Sequence, residues 1–145
     1  QVVGPGAVDY LVVGRPEDVP PEHRHRKYYR HSREFGLVRV EPHEMVEIAK
    51  TMAARLNQSR GPVAVVVPLR GFSFPAREGG PTYDPAGDKA FAEAMQAHLA
   101  PGIRYVEVDC HINDPPYAET AVALLEEMIT RHKGQDRLAS PDGRD

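Results

Sequence analysis

The sequence predicts an α/β domain of three layers, built on an open, mostly parallel, Rossmann-like sheet. The segment 63–67, Val-Ala-Val-Val-Val, is continuously β-branched or small, which is typical of a strand buried on both faces. Strand-like and helix-like patterns alternate along the chain around it. The length of 145 residues suits one domain with one sizeable core.

The region before the first helix is less regular. Residues 7–13 form the first strand candidate and are apolar except for Asp9. A proline-rich loop follows, and 26–31 and 37–40 are short strand-like segments. We expect this region to pair at an edge of the sheet or with sequence upstream of Gln1.

The remaining elements follow in a regular order. A helix opens at Pro42, shows apolar residues at three- and four-residue spacing, and ends within 57–61. A glycine- and proline-rich loop, 68–87, leads to a helix over 88–99, a strand over 103–109 and a helix from Pro115 to about His132. We predict that strands 63–67 and 103–109 are parallel and joined by a right-handed crossover. The prediction is one α/β domain over 1–133 and a disordered polar tail over 134–145.

Composition narrows the class of protein. The 18 basic and 21 acidic residues give a net charge of −3, which argues against a general nucleic-acid binder. The single cysteine excludes an internal disulfide and a multi-cysteine zinc site, and it suits the reducing cytoplasm. No apolar run reaches the roughly 18 residues of a membrane span. We expect a cytoplasmic protein with no membrane segment, and, because the chain opens at Gln1, a fragment or a processed chain.

Candidate functional residues follow the strand 63–67, because ligands of open parallel sheets bind outside the carboxyl ends of the strands. Arg70 offers a guanidinium fork for a carboxylate or phosphate, Gly71 permits close backbone approach, and Ser73 offers a hydroxyl. No Gly-Lys-Ser/Thr ends this loop, so it is not a Walker phosphate loop. A turn whose arginine pairs with a local acid would explain the same residues without function.

The loop after strand 103–109 holds three polar candidates in four positions. His111 suits a proton donor or acceptor, or a ligand. Asn113 suits a site or a turn, and Asp114 is a natural N-cap for the next helix. Cys110 is predicted to be a small buried residue, because no lysine or glycine-rich elbow lies near it to activate a thiolate. We predict that one rim of the sheet brings together Arg70, Ser73 and His111, with Asn113 beside them.

Two further stretches carry unusual chemistry. The glycine-rich loop 79–85 either folds over a ligand or turns into the next helix. The stretch 23–33 contains five Lys/Arg residues, three histidines and two tyrosines, which suits a solvated edge, a phosphate-rich ligand or a contact surface. Nucleic acid is not expected, because the overall charge is negative. No metal site is predicted, since the histidines lack a helical i, i+4 partner.

Several motifs, in this order and spacing, resemble the C-terminal part of the family of the tomato mosaic virus resistance protein. The specific ones are Pro-Leu-Arg-Gly-x-Ser at 68–73 and His-Ile-Asn-Asp-Pro at 111–115. Others are Pro-Gly-Ala-Val-Asp at 5–9, the segment from Arg26 to His31, Arg39 with Pro-His-Glu at 42–44, and Tyr-Asp-Pro at 83–85. The resemblance covers about residues 2–132. Family members usually carry His-Asn-Pro where this chain has His-Ser-Arg at 31–33.

The resemblance implies a two-lobed α/β protein of which this chain is an incomplete second lobe. It implies ATP as a cofactor of the full-length protein, the missing N-terminal lobe as a partner, and a homo-oligomer. The ligand-binding candidates are then Arg70, Gly71, Ser73, Asn113, Asp114, His31 and Tyr83.

Three functions stay open. The first, which we favour, is a lobe that binds a small molecule, namely a nucleotide, phosphate or carboxylate, with weak or no nucleotide affinity in this chain alone. The second is an enzyme with His111 as general acid or base and Arg70 as the clamp on an anionic substrate. The third is a protein-interaction module that uses the basic stretch 23–33.

Overall fold

The computed structural model describes residues 1–139, and its side chains are described as far as residue 132. In chain order the elements are β1 (Val2–Val3), β2 (Tyr10–Val13), β3 (Tyr28–Arg30), β4 (Gly36–Arg39), α1 (Pro42–Leu56), β5 (Ala64–Pro68), α2 (Pro85–His98), β6 (Arg104–Val108) and α3 (Pro115–Ala139). The strands form two sheets, one parallel with the order β1-β5-β6 and one antiparallel with the order β2-β4-β3.

The parallel sheet confirms the predicted α/β class. β5 lies in its centre and pairs with β6 in parallel register, Val65 opposite Tyr105. Side chains of a strand alternate between its two faces, and those of β5 pack against different helices. Val65 and Val67 belong to the core shared with α1 and α2, whereas Ala64 and Val66 pack with Leu124 of α3. The sheet therefore lies between two helical layers, and α2 connects the two neighbouring parallel strands.

The region 7–40 does not pair at the edge of the parallel sheet, so the first of the two pairings expected for it is wrong. It forms a separate antiparallel sheet in which β4 is the central strand, paired with β2 on one side and β3 on the other. β4 is buried along its whole length. Its apolar residues are therefore buried in a second sheet. The periodicity of the sequence alone does not distinguish such a strand from a strand at the edge of the first sheet.

The first predicted strand, 7–13, is shorter than expected and a different segment pairs with β5. Ala7 has a φ of +58°, and Val8 N–H donates to the Pro5 carbonyl at 3.4 Å. This turn breaks the extended run, so that β2 starts only at Tyr10. The parallel partner of β5 is instead β1, at the very start of the chain.

The helices follow the predicted pattern with two changed boundaries. Proline occupies the first turn of α1, and Glu44 accepts the Glu41 N–H at 2.8 Å, which satisfies one of the free donors at that end. α2 begins at Pro85, before the predicted residue 88, because proline also suits its first turn. α3 reaches Ala139, so the first part of the predicted disordered tail is helical. The rest of that tail, 140–145, lies outside the described residues.

Among the residues that the structure describes, no helix combines the length and apolar character that crossing a membrane requires.

Candidate functional site

The loops after β5 and β6 lie side by side at the carboxyl edge of the parallel sheet. Leu69 N–H donates to the Val108 carbonyl at 2.9 Å, and Arg70 N–H donates to the Cys110 carbonyl at 3.0 Å. Farther along, Ile112 N–H donates to the Gly71 carbonyl at 3.1 Å. These bonds extend the pairing of the strands into their loops, so the rim is a connected backbone surface. The predicted meeting of the two loops at one rim is confirmed.

Arg70 holds an exposed position on this rim. Its Nε and Nη2 donate to the two carboxylate oxygens of Asp109 at 2.7 and 2.8 Å, and the side chains are 60% and 69% exposed. The guanidinium lowers the pKa of the Asp109 carboxyl below its ordinary value. Water screens an exposed pair of this kind, so Asp109 orients the fork without holding it strongly.

His111 lies beneath the rim, with 4% of its surface exposed. Its Nδ1 accepts the Asn113 N–H at 3.2 Å, so Nε2 carries the proton and donates to the Ser73 carbonyl at 2.8 Å. The His111 N–H in turn donates to the Asp114 carboxylate at 2.9 Å. The ring therefore joins the two loops, Asn113 contributes its backbone amide, and Asp114 fixes the turn before α3. Cys110 is buried, as predicted, and burial raises the pKa of its thiol.

Gly71 is the tightest point of the rim. Its φ is +117°, a conformation that side-chain-bearing residues rarely adopt. A Cβ there would lie 2.6 Å from the Ala76 carbonyl oxygen and 2.9 Å from Cδ2 of His111. The close approach predicted for this glycine serves the contact between the loops.

Replacing Gly71 by alanine is expected to destabilise the protein by at least about 2 kcal/mol, because both backbone strain and a collision with His111 oppose the new methyl group. Urea denaturation followed by circular dichroism measures this loss. Gly61→Ala is the matched control, since a Cβ at Gly61 meets nothing within 4 Å. Equal stability of the two variants would contradict the assigned packing of the rim.

Behind the rim, Ser73 connects to a buried ionic cluster that the sequence did not predict. Its hydroxyl donates to Asp9 Oδ2 at 2.8 Å. Arg39, 3% exposed, donates from Nη1 to the same oxygen and from Nη2 to Asp88 Oδ1, both at 2.5 Å. We call Asp9, Arg39 and Asp88 the buried cluster. It connects the turn before β2, the central strand β4 and helix α2.

The buried cluster carries two carboxylates around one guanidinium. Burial disfavours the ionised form and raises the pKa of Asp88 to about 6, although Arg39 opposes the change. Burial also raises the pKa of Asp9 above its ordinary value, against the charge of Arg39 and the bond from Ser73. Asp9 Oδ1 and Thr82 Oγ1 are buried and have no hydrogen-bond partner among the described residues. The feature of the sequence that could have indicated this cluster is Asp9, a carboxylate within an otherwise apolar stretch.

A groove of about 460 Å³ runs along α2 beside the ends of β5 and β6. Leu69, next to Arg70, forms one wall, and Glu107, two residues before Asp109, forms another. Asp88 of the buried cluster reaches its lining. The other lining residues are Pro68, Pro85, Lys89, Ala92, Glu93 and Gln96. Arg70 is therefore the residue next to Leu69, a wall of a groove that is rich in carboxylates.

The structure does not bring His31 and Tyr83 into contact with the rim. His31 is exposed, and its ring stacks on Phe35 at 5.0 Å between centroids in the turn between β3 and β4. The Tyr83 carbonyl accepts a hydrogen bond from the Lys27 ammonium just before α2. Over the described part of the chain, no three His, Cys, Asp or Glu side chains are grouped as a metal site requires.

Comparison with known proteins supplies the context of this site. The model of the Uncharacterised protein family (UPF0261) C-terminal domain matches residues 1–129. The chain is 33% identical to a UPF0261 protein of Brucella suis over 129 residues, which are 89% of this chain and 31% of that protein. It is 37% identical to a UPF0261 protein of Rhizobium meliloti over 125 residues, 85% of this chain and 31% of the relative.

A plant relative carries a name that describes an activity. The ToMV resistance protein Tm-1(GCR237) of Solanum lycopersicum is 32% identical over 130 residues, 88% of this chain and 17% of that protein. The resemblance to the family of the tomato virus resistance protein is therefore confirmed. Because the chain spans about a third of the bacterial relatives' length and less of the plant protein, the activities of whole relatives are not transferred to it.

Proposed function

Since this chain belongs to the UPF0261 family, whose C-terminal domain it matches, we propose that it is a lobe that binds a small anionic molecule at the rim. The observation that carries the proposal is the position of Arg70. Its fork stands at the carboxyl edge of two adjacent parallel strands, where open α/β sheets bind their ligands.

The weak pairing of Arg70 supports a role in binding. Asp109 is the only carboxylate that pairs with it among the described residues, and both side chains are more than half exposed. A phosphate or carboxylate can accept the same two N–H groups in the same planar geometry. An incoming anion would therefore exchange with Asp109 at small cost, because water screens the exposed pair.

The groove indicates what the rest of the ligand is. Its lining includes the carboxylates of Asp88, Glu93 and Glu107 and one ammonium, that of Lys89. Carboxylates accept hydrogen bonds and repel a second anion, so the ligand body beside them is rich in hydroxyl or amino donors. Nucleotides and sugar phosphates have such an anionic end and such a body, and ATP is the nucleotide we propose for the full-length family protein.

The remainder of a family protein is the proposed partner of this lobe. The bacterial relatives extend beyond the matched part, which is 31% of their length. In this chain β6 is an edge of the parallel sheet, and α3 exposes Val122, Leu125 and Ile129 at three- and four-residue spacing. We propose that the N-terminal part of a family chain covers these surfaces and closes the groove. The lobe alone would then bind nucleotides weakly.

Replacing Arg70 by alanine is expected to weaken the binding of ATP to this chain by about tenfold, the effect of losing a charge-assisted bidentate contact. Isothermal titration calorimetry with ATP measures it at low salt, where the wild-type affinity should be weaker than about 100 μM. Arg104→Ala is the matched control, because Arg104 is similarly exposed and pairs with Glu127 at 2.6 Å on β6. Equal weakening in both variants would show a general charge effect and contradict a site at the rim.

The same titration on the Brucella suis relative tests the role of the missing part. The full-length relative should bind ATP at least about tenfold more tightly than its C-terminal domain alone, because a closed groove buries more of the ligand. Micromolar binding by the isolated domain would overturn the proposal that the groove is completed by the rest of the chain.

No observation favours the two alternatives as strongly. His111 is the acid or base of the enzyme alternative, but its ring is buried and both nitrogens bond to backbone groups. The alternative of an interaction module needs free cations in the basic stretch 23–33. Arg26 of that stretch donates from both terminal nitrogens to Glu44, and Lys27 donates to the Tyr83 carbonyl. These cations fasten the stretch to α1 and to the segment before α2, which leaves fewer of them for a partner.

A further inference from the structure

A second cavity, of about 340 Å³, lies between the basic stretch and the antiparallel sheet, away from the rim. It is lined by Pro16, Val19, His23, Arg24, Arg26, Tyr28 and Val38. We propose that this cavity binds a small carboxylate with a flat or branched apolar body, such as an aromatic acid. The proposal is independent of the function proposed for the rim.

The apolar part of the cavity is formed by closely packed side chains. Val38 is completely buried on the central strand β4, and Val19 is 5% exposed. The Tyr28 ring lies directly over Gly36, where a Cβ would be 2.2 Å from the tyrosine hydroxyl, and this hydroxyl donates to the Gly14 carbonyl at 3.3 Å. An aromatic ring and two valines in one lining offer an apolar surface, which suits an aromatic or branched ligand body.

The polar part of the cavity carries positive charge that no carboxylate in its lining neutralises. Arg24 uses Nε to bond the Val19 carbonyl at 3.0 Å, and its two terminal nitrogens have no partner among the described residues. Arg26 differs, because Glu44 occupies its terminal nitrogens at 2.6 and 3.0 Å. Arg24 is therefore the cation available to a ligand carboxylate.

Two buried nitrogens of the lining are also without partners. They are Nδ1 of His23 and Nε of Arg26, whose side chain is 8% exposed. Neither nitrogen has accessible surface, so the ligand carboxylate pairs with the terminal nitrogens of Arg24 and not with these two atoms. A carboxylate beside Arg24 offers acceptors to this side of the cavity while its body meets Tyr28. The volume lies at the low end of the range for small-molecule sites, which favours a small acid over a peptide.

Titration of the ¹⁵N-labelled chain with sodium benzoate tests the proposal by NMR. We expect saturable shifts at Val19, Tyr28 and Val38, with half-saturation below about 10 mM. Benzyl alcohol, which lacks the charge, and acetate, which lacks the ring, should each bind at least about tenfold more weakly. Arg24→Ala should weaken benzoate binding by about tenfold, whereas Arg33→Ala, a 92%-exposed arginine of the same stretch, should leave it unchanged.

The outcomes that overturn the proposal are equally specific. They are shifts that do not saturate below about 10 mM, shifts centred on Arg70 instead of Tyr28, and equal binding of benzoate and benzyl alcohol. Equal effects of the two arginine variants would also overturn it. The ¹⁵N spectrum of each variant shows directly whether it is folded, so a loss of binding in a folded Arg24→Ala protein has one interpretation.

Discussion

Replacing Arg39 by leucine is expected to lower the free energy of unfolding by about 3–5 kcal/mol at neutral pH. Arg39 is buried and donates to Asp9 and Asp88, so its loss leaves two buried carboxylates without a cation. An unpaired buried charge costs far more than an exposed one, because the protein interior does not solvate it. Urea denaturation at pH 7, followed by circular dichroism, measures the loss.

The matched control is Arg104→Leu, which removes an arginine from an exposed pair with Glu127. It should cost far less than Arg39→Leu, because water screens an exposed pair. Similar losses in the two variants would show that the buried cluster contributes no more than a surface pair. A large loss would show that the two buried carboxylates depend on Arg39, which joins β4 to Asp88 of α2.

The parallel part of the fold was predictable because its signals are local. The β-branched run that forms β5 predicts a strand buried on both faces, which requires a helical layer on each side. Side chains of a strand alternate between its faces, so one helical layer packs against Val65 and Val67 and the other against Ala64 and Val66. Pro42 and Pro115 mark helix starts through the geometry of proline itself. The conformational preference of each of these residues is local, so each one predicts its element without reference to distant parts of the chain.

The antiparallel sheet was not predictable in the same way. Its strands are three or four residues long, and the pairing of β2 with β4 joins segments more than twenty residues apart. The turn that ends the extended run before β2 depends on Ala7, a non-glycine residue at positive φ, which composition does not indicate. The pairing of short strands is decided by tertiary contacts.

The candidate site also has a part that the sequence predicts and a part that it does not. The meeting of the loops of Arg70 and His111 followed from the rule that parallel strands end at one edge. The partners of these residues did not, because a sequence does not show that Asp109 is the acid beside Arg70 or that His111 points inwards to the Ser73 carbonyl. The burial of Asp88 was also hidden, since an aspartate near a helix start usually faces water.

Asp88 gives the buried cluster an expected pH dependence. Its ordinary pKa of 3.8 is raised to about 6 in the folded protein, so between these values the folded state binds the proton more strongly than the unfolded state. The contribution of this carboxyl to stability is therefore complete below about pH 3.8 and is lost as the pH rises through about 6. Asp88→Asn removes the titration and keeps a side chain of similar size.

Comparing wild type with Asp88→Asn at about pH 4 and about pH 7.5 reports on this residue together with its electrostatic interaction with Asp9. The advantage of the wild type over the variant should shrink by about 2 kcal/mol between the two pH values. Asp109→Asn should show the opposite sign, since Arg70 lowers the pKa of Asp109 and its contribution is lost on acidification. If the two aspartate variants shifted in the same direction, Asp88 would not be a carboxyl whose burial outweighs the attraction of Arg39.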